Sequence, residues 1–172
     1  MTPVRQTGTH VPVMPTEVMS YLNIFTDGIY IDGTVGLGRH ATLILNRLSK
    51  KGHFIGIDRD AEALSLCTKR LSSHPTPFSL FHDSFHKLNA ILDGMGISQV
   101  NGILLDLGLS SLQLDSPLRG FTYTVDSDLD MRFDTSQKTK AIHILNQLPV
   151  KELANLISVS YTHLTLPTIL LV

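Results

Sequence analysis

The chain has 172 residues, 42% of them apolar and 17% charged, and a formal net charge of −1 at pH 7. That balance fits one ordinary globular domain and excludes both a polar disordered chain and a strongly basic surface that would announce nucleic-acid binding by itself. The single cysteine, Cys67, has no partner within the chain, which excludes a disulfide framework and suits a reducing compartment.

The opening Met1-Thr2-Pro3-Val4-Arg5-Gln6 is not followed by an apolar signal-peptide core. No stretch approaches the roughly 20 apolar residues that a membrane-spanning helix needs. The sequence reads as cytoplasmic, with no membrane partner.

From residue 29 onward short apolar runs alternate with amphipathic segments, the pattern of strands connected through helices into a parallel α/β sheet. Ile29-Tyr30-Ile31-Asp32 is the first strand, and after a glycine-rich turn Ala41, Ile44, Leu45 and Leu48 form one helical stripe. Phe54 to Ile57 is the second strand, ending at Asp58, and Asp60 can cap a helix carrying Ala61, Leu64, Cys67 and Leu71.

A third strand, Phe78 to Phe81, leads into Phe85, Leu88, Ile91, Leu92 and Met95 at helical spacing, broken by Gly94 and Gly96. The fourth strand, Gly102 to Leu107, is continuously apolar, as a strand covered on both faces is. Between about 110 and 138 the alternation gives way to a polar stretch with isolated anchors such as Phe121, Met131 and Phe133, a length that marks a functional loop or the edge of an inserted module. Helical spacing returns at Ala141, Ile144 and Leu145, and again from Val150 to Ile157, the two split by Pro149.

The loop Asp32-Gly33-Thr34-Val35-Gly36-Leu37-Gly38 lies between a strand and a helix, where missing side chains let backbone approach a nucleotide-like ligand. Its glycine order, G-x-x-G-x-G, differs from the G-x-G-x-x-G of pyrophosphate-binding dinucleotide loops, which favours a methyl-donor site. On the loop alone, glycines that merely shape a tight turn serve the pattern equally. Asp58, about 20 residues on, stands where a carboxylate accepts hydrogen bonds from both ribose hydroxyls; the plainer reading of Asp58 and of Asp60 is a helix cap. Asp106 ends the fourth strand at the carboxyl edge of the sheet, where open α/β sheets bind ligands; its plainer reading is a loop-entry residue satisfied by local amides.

Taken together, His10-Val11-Pro12-Val13, the Asp32 to His40 loop, Asp58-Arg59-Asp60, the run Asp106 to Asp115, Arg119-Gly120-Phe121 and Leu129-Asp130-Met131-Arg132 resemble the bacterial 16S (small-subunit) rRNA cytosine-N4 methyltransferases. The resemblance covers about His10 to Ile157. It implies a Rossmann-like class I methyltransferase fold, followed by the start of a helical inserted substrate domain. On that pattern residues 1–137 form the N-terminal part of the S-adenosylmethionine-binding domain, 138–157 begin the insertion, and 158–172 are an atypical, foreign-looking tail on a C-terminally truncated chain.

The resemblance further implies that S-adenosyl-L-methionine is held at Gly38, Arg39, His40, Asp58, Phe85, Asp106 and Gln113, with Asp106 also the candidate catalytic residue. By itself, Phe85 at the head of an amphipathic segment reads as core. Where the family carries a second glycine before the histidine, this chain has Arg39, which a positive φ would strain. The implied reaction is methylation of the exocyclic N4 of an unpaired decoding-centre cytidine, with small-subunit rRNA or a ribosomal subunit as partner.

Arg119, Arg132, Lys138 and Lys140 are candidates to face RNA phosphates, or else belong to a solvated surface. The eight histidines lack metal-ligand spacing, so no metal is expected. Two other functional classes remain open at this point: a non-catalytic RNA-binding fragment of the same family, and a NAD-dependent dehydrogenase.

Overall fold

The structure is a computed structural model that describes residues 11–158. His10 of the N-terminal motif and the tail from residue 159 lie outside the described residues. The chain falls into two compact units, Met1–Ser110 and Ser111–Val172. The boundary between 137 and 138 drawn from the sequence falls inside the second of them.

The first unit holds a four-stranded sheet in the order β3-β2-β1-β4, every neighbouring pair parallel. Its strands are β1 (Ile29–Asp32), β2 (His53–Asp58), β3 (Phe78–His82) and β4 (Gly102–Leu104). The connecting helices are α1 (Pro15–Leu22), α2 (Arg39–Leu45), α3 (Ala61–Leu71) and α4 (Leu88–Gly94).

Period-two alternation sends the strand side chains to two cores. Tyr30 and Phe54 join Met19, Ala41, Ile44, Leu45, Leu64, Cys67 and Leu71 on one face, beneath α1, α2 and α3. Ile31, Ile55 and Ile57 point the other way, onto Leu88, Ile91 and Leu92 of α4. Helices on both faces of a parallel sheet make this a doubly wound α/β unit, and the order reverses between β1 and β4 because β2 and β3 build outward on one side and β4 on the other.

Three expectations change. The fourth strand ends at Leu104, not Leu107, and is not covered on both faces: Ile103 and Leu105 are 46% and 44% exposed, since β4 pairs only with β1. The third amphipathic segment is broken into a 3-10 turn at Phe85–Lys87 and then α4, because the Ser84 hydroxyl accepts from the His86 N–H and caps the turn separately. Helix α1 went unread in the sequence; it is short, and its inward stripe is only Val18, Met19 and Leu22.

The second unit contains α5 (Ser111–Asp115), a 3-10 turn at Pro117–Arg119, α6 (Ala141–Gln147) and α7 (Val150–Ser158). The polar stretch between them is stapled by charge. The Asp130 carboxylate takes both Arg132 Nε (2.6 Å) and Arg132 Nη2 (2.7 Å), and Lys140 Nζ stands 3.3 Å away. Arg119 is 6% exposed, and its Nη2 donates to the carbonyls of Arg132 (3.0 Å) and Phe133 (2.8 Å). Gly120 sits at φ +69°, and a Cβ there would lie 2.5 Å from the Asp128 carbonyl. Arg119, Arg132 and Lys140 are therefore each engaged by partners inside the unit.

Among the described residues no helix is long and apolar enough to cross a membrane.

Candidate active site

The carboxyl ends of the strands carry the loops that matter. After β1 the chain turns through Gly33 to Gly38, and α2 starts at Arg39. Gly38 caps that helix at φ +77°, a conformation that L side chains avoid, and a Cβ on it would lie 2.7 Å from Cys67 Sγ. Arg39 is the first helical residue and has no positive φ, so the strain expected of it does not arise. Burial and the neighbouring Arg70 lower the pKa of its guanidinium, so Arg39 is a cation held with some reluctance.

His40 is buried and its Nε2–H donates to the Val13 carbonyl at 2.9 Å, tying α2 to the segment ahead of α1. What His40 has left for a ligand is its backbone and the other ring nitrogen.

Asp58 ends β2 and holds the glycine loop. Its Oδ2 accepts from the Gly36 N–H at 2.7 Å and its Oδ1 from the Asp60 N–H at 2.9 Å. The Arg59 N–H bears on the same carboxylate, and since a carboxylate offers about four acceptor sites, capacity for one ligand hydroxyl is left. Asp60 is the cap, accepting from the Glu62 and Ala63 N–H groups, whereas Asp58 braces the glycine loop. Burial raises the Asp58 pKa, against the lowering by these amide hydrogen bonds.

Phe85 opens the turn after β3 and lies against Gly33, where an added Cβ would come within 3.1 Å of it. Asp106 is exposed in the loop after β4, and its N–H donates to Thr34 Oγ1 at 2.8 Å. The loop after β1, Asp58, Phe85 and Asp106 thus meet around one crevice, at the point where the strand order reverses. Gln113 is buried, in α5 of the second unit.

Two residues of this site had no role assigned from sequence. Asp32 is 2% exposed, accepting at Oδ1 from the Thr34 N–H (3.1 Å) and hydroxyl (3.4 Å). Its burial, with the negative charges of Asp58 and Asp106, pushes its pKa up to about 7. Thr34 joins Asp32 to Asp106. The available signal was Asp-x-Thr at a strand end, a spacing at which an Asp side chain caps the backbone two residues on.

The residues fit a positively charged, nucleoside-bearing ligand. The site gathers carboxylates, an aromatic ring and a glycine loop whose Gly36 has only the Thr34 carbonyl, at 3.8 Å, near its missing side chain. Among the described residues no group of three or more His, Cys, Asp or Glu side chains is placed to hold a metal ion.

Sequence comparison decides the lineage: residues 7–163 match the model of the MraW methylase family. The chain belongs to that family. Among curated relatives of this MraW-family chain, one from Caldicellulosiruptor bescii named ribosomal RNA small subunit methyltransferase H is 43% identical over 148 residues, covering 86% of this chain and 48% of the relative. A protein of the same name from Fusobacterium nucleatum is 42% identical, with 86% and 47% covered. The chain spans about half the length of the curated relatives it matches. A solved structure of a SAM-dependent O-methyltransferase from Thermotoga maritima aligns over 56% of this chain and 35% of its own length, at 15% identity and a TM-score of 0.45.

Proposed function

We propose that this chain supplies the donor-binding half of an S-adenosylmethionine-dependent methyltransferase acting on the N4 amine of a decoding-centre cytidine in 16S rRNA. The observation that supports the reading is Asp58, anchored by the Gly36 N–H beside the β1–β4 crevice, with acceptor capacity left for a ribose hydroxyl. The names of the relatives in the MraW methylase family supply the substrate class, small-subunit rRNA.

S-adenosylmethionine, when bound, would supply an electrophilic methyl on a sulfonium: a C–N bond to N4 would form as the C–S bond breaks, leaving a neutral thioether and passing the N4 proton to solvent. Asp58 would hold the ribose, Phe85 would offer its ring to the adenine, and Gly38, Arg39 and His40 would hold the donor beside them.

Asp106 holds the amine by accepting one of its hydrogens, which aims the N4 lone pair. The carboxylates of Asp58 and Asp106 favour a cation at the crevice. Proximity and orientation, rather than a strong base, carry the rate. The proposed partner is small-subunit rRNA or the ribosomal subunit, and the workplace is the cytoplasm.

The test is incubation of the chain with isotopically labelled S-adenosylmethionine and either 16S rRNA or small ribosomal subunits, followed by nucleoside mass spectrometry. N4-methylated cytidine at one site supports the proposal. Label on another base, or on another atom of cytosine, refutes it.

A further inference from the structure

The β1–β4 pairing runs Tyr30 with Gly102, Ile31 with Ile103 and Asp32 with Leu104. The Gly33 N–H still reaches the Leu104 carbonyl at 2.9 Å. Continued by the same offset, Thr34 stands opposite Asp106, but there the loop after β1 has turned toward Ile57, whose carbonyl accepts the Val35 N–H at 3.0 Å. The backbone ladder between β1 and β4 has run out at this position. In its place the Thr34 hydroxyl accepts the Asp106 N–H at 2.8 Å and is itself directed to Asp32 Oδ1 at 3.4 Å.

We propose that Thr34 is a positioning residue: its hydroxyl, braced by buried Asp32, substitutes for the missing ladder bond and fixes the Asp106 loop at the spacing the donor site requires. This rests on the donor-site reading above. A hydroxyl suits the position because it donates one hydrogen bond and accepts another, and a valine of the same shape does neither. The relay works in either protonation state of Asp32. Oδ1 accepts from both the Thr34 N–H and hydroxyl, so a proton on Oδ2 would leave both bonds in place.

The fold exploits the substitution. Because a side chain rather than the backbone spans the gap, the glycine loop can leave the sheet to meet Asp58 while Asp106 stays in register. Leu105 fills the space where Gly33 lacks a side chain, its Cδ2 standing 2.6 Å from a Cβ built there, so the two loops are also in apolar contact just before the hydroxyl bridge.

The experiment compares the unmodified chain with Thr34→Val and Thr34→Ser by two readouts: amide hydrogen exchange at Asp106, and calorimetric titration with S-adenosylmethionine. Thr34→Val is expected to release the Asp106 amide to fast exchange and weaken donor binding by about tenfold, the order set by one net hydrogen bond. Thr34→Ser, which keeps the hydroxyl, is expected to restore both. The proposal is overturned if Thr34→Val matches the unmodified chain in either readout, or if Thr34→Ser fails as badly as valine. If the unmodified chain protects the Asp106 amide but binds no S-adenosylmethionine, the donor-site reading fails and the positioning role falls with it, while the hydroxyl bridge itself stands.

Discussion

Replacing Asp32 by asparagine isolates what it costs to keep a carboxyl inside the β1 turn. The side chain is 2% exposed, and its pKa rises from an ordinary 3.8 to about 7 through burial and the charges of Asp58 and Asp106. Between those two values the folded chain holds a proton that the unfolded chain has released, so stability falls as pH rises through this window and levels off above it. At roughly 1.4 kcal/mol for each pH unit between 3.8 and about 7, the whole effect is about 4 kcal/mol. Asparagine is isosteric, keeps an oxygen to accept from the Thr34 N–H and hydroxyl, and cannot ionise.

Urea denaturation at pH 4.5 and pH 8 therefore separates the two proteins. Asp32→Asn is expected to match the parent within about 1 kcal/mol at the lower pH and to exceed it by several kcal/mol at the higher. Parallel pH profiles for parent and variant would refute the reasoning, since they would mean that Asp32 ionises at no special cost.

Three further outcomes follow from the packing and charge. Gly38→Ala forces an L side chain to φ +77° with its Cβ 2.7 Å from Cys67 Sγ, so chemical denaturation is expected to show a loss of about 1–3 kcal/mol; an unchanged midpoint would contradict the contact. Asp130→Asn removes the anchor of Arg132 and Lys140. Because these partners hold the Asp130 pKa well below the carboxylate range, the stability it adds is present at neutral pH and is lost only as acid protonates it. The variant should melt earlier than its parent at pH 7, the gap narrowing only below about pH 4, and a gap that is constant with pH would refute the pairing. Cys67 is fully buried with its thiol pushed up to about 12, so iodoacetamide at pH 8 should leave it unmodified in the folded chain and alkylate it on unfolding. Fast labelling under native conditions would place the thiol outside the core.

Much of the first unit was legible because its signals are local. The bounds of β1 follow from three apolar residues and an aspartate ahead of a glycine turn, and the Asp60 cap from an acidic residue just before an apolar stripe. The fourth strand was over-read for the same reason: an unbroken apolar run says strand, but only the sheet order says that β4 has a single neighbour. Asp58 was singled out by spacing, whereas the Gly36 N–H that holds it is visible only once the loop has folded across to β2. Thr34 and Asp106 are 72 residues apart, and nothing in either neighbourhood indicates the other. The charged residues of the second unit were the least legible, since nothing local in the sequence shows the carbonyls that take Arg119 or the Asp130 carboxylate that takes Arg132.

The most direct test of the central claim is calorimetric titration of the chain with S-adenosylmethionine and, separately, with NAD, repeated on Asp58→Ala. The account predicts saturable binding of S-adenosylmethionine, no heat from NAD, and affinity reduced at least about tenfold in the variant. Binding of NAD, or S-adenosylmethionine affinity indifferent to the loss of Asp58, would contradict it.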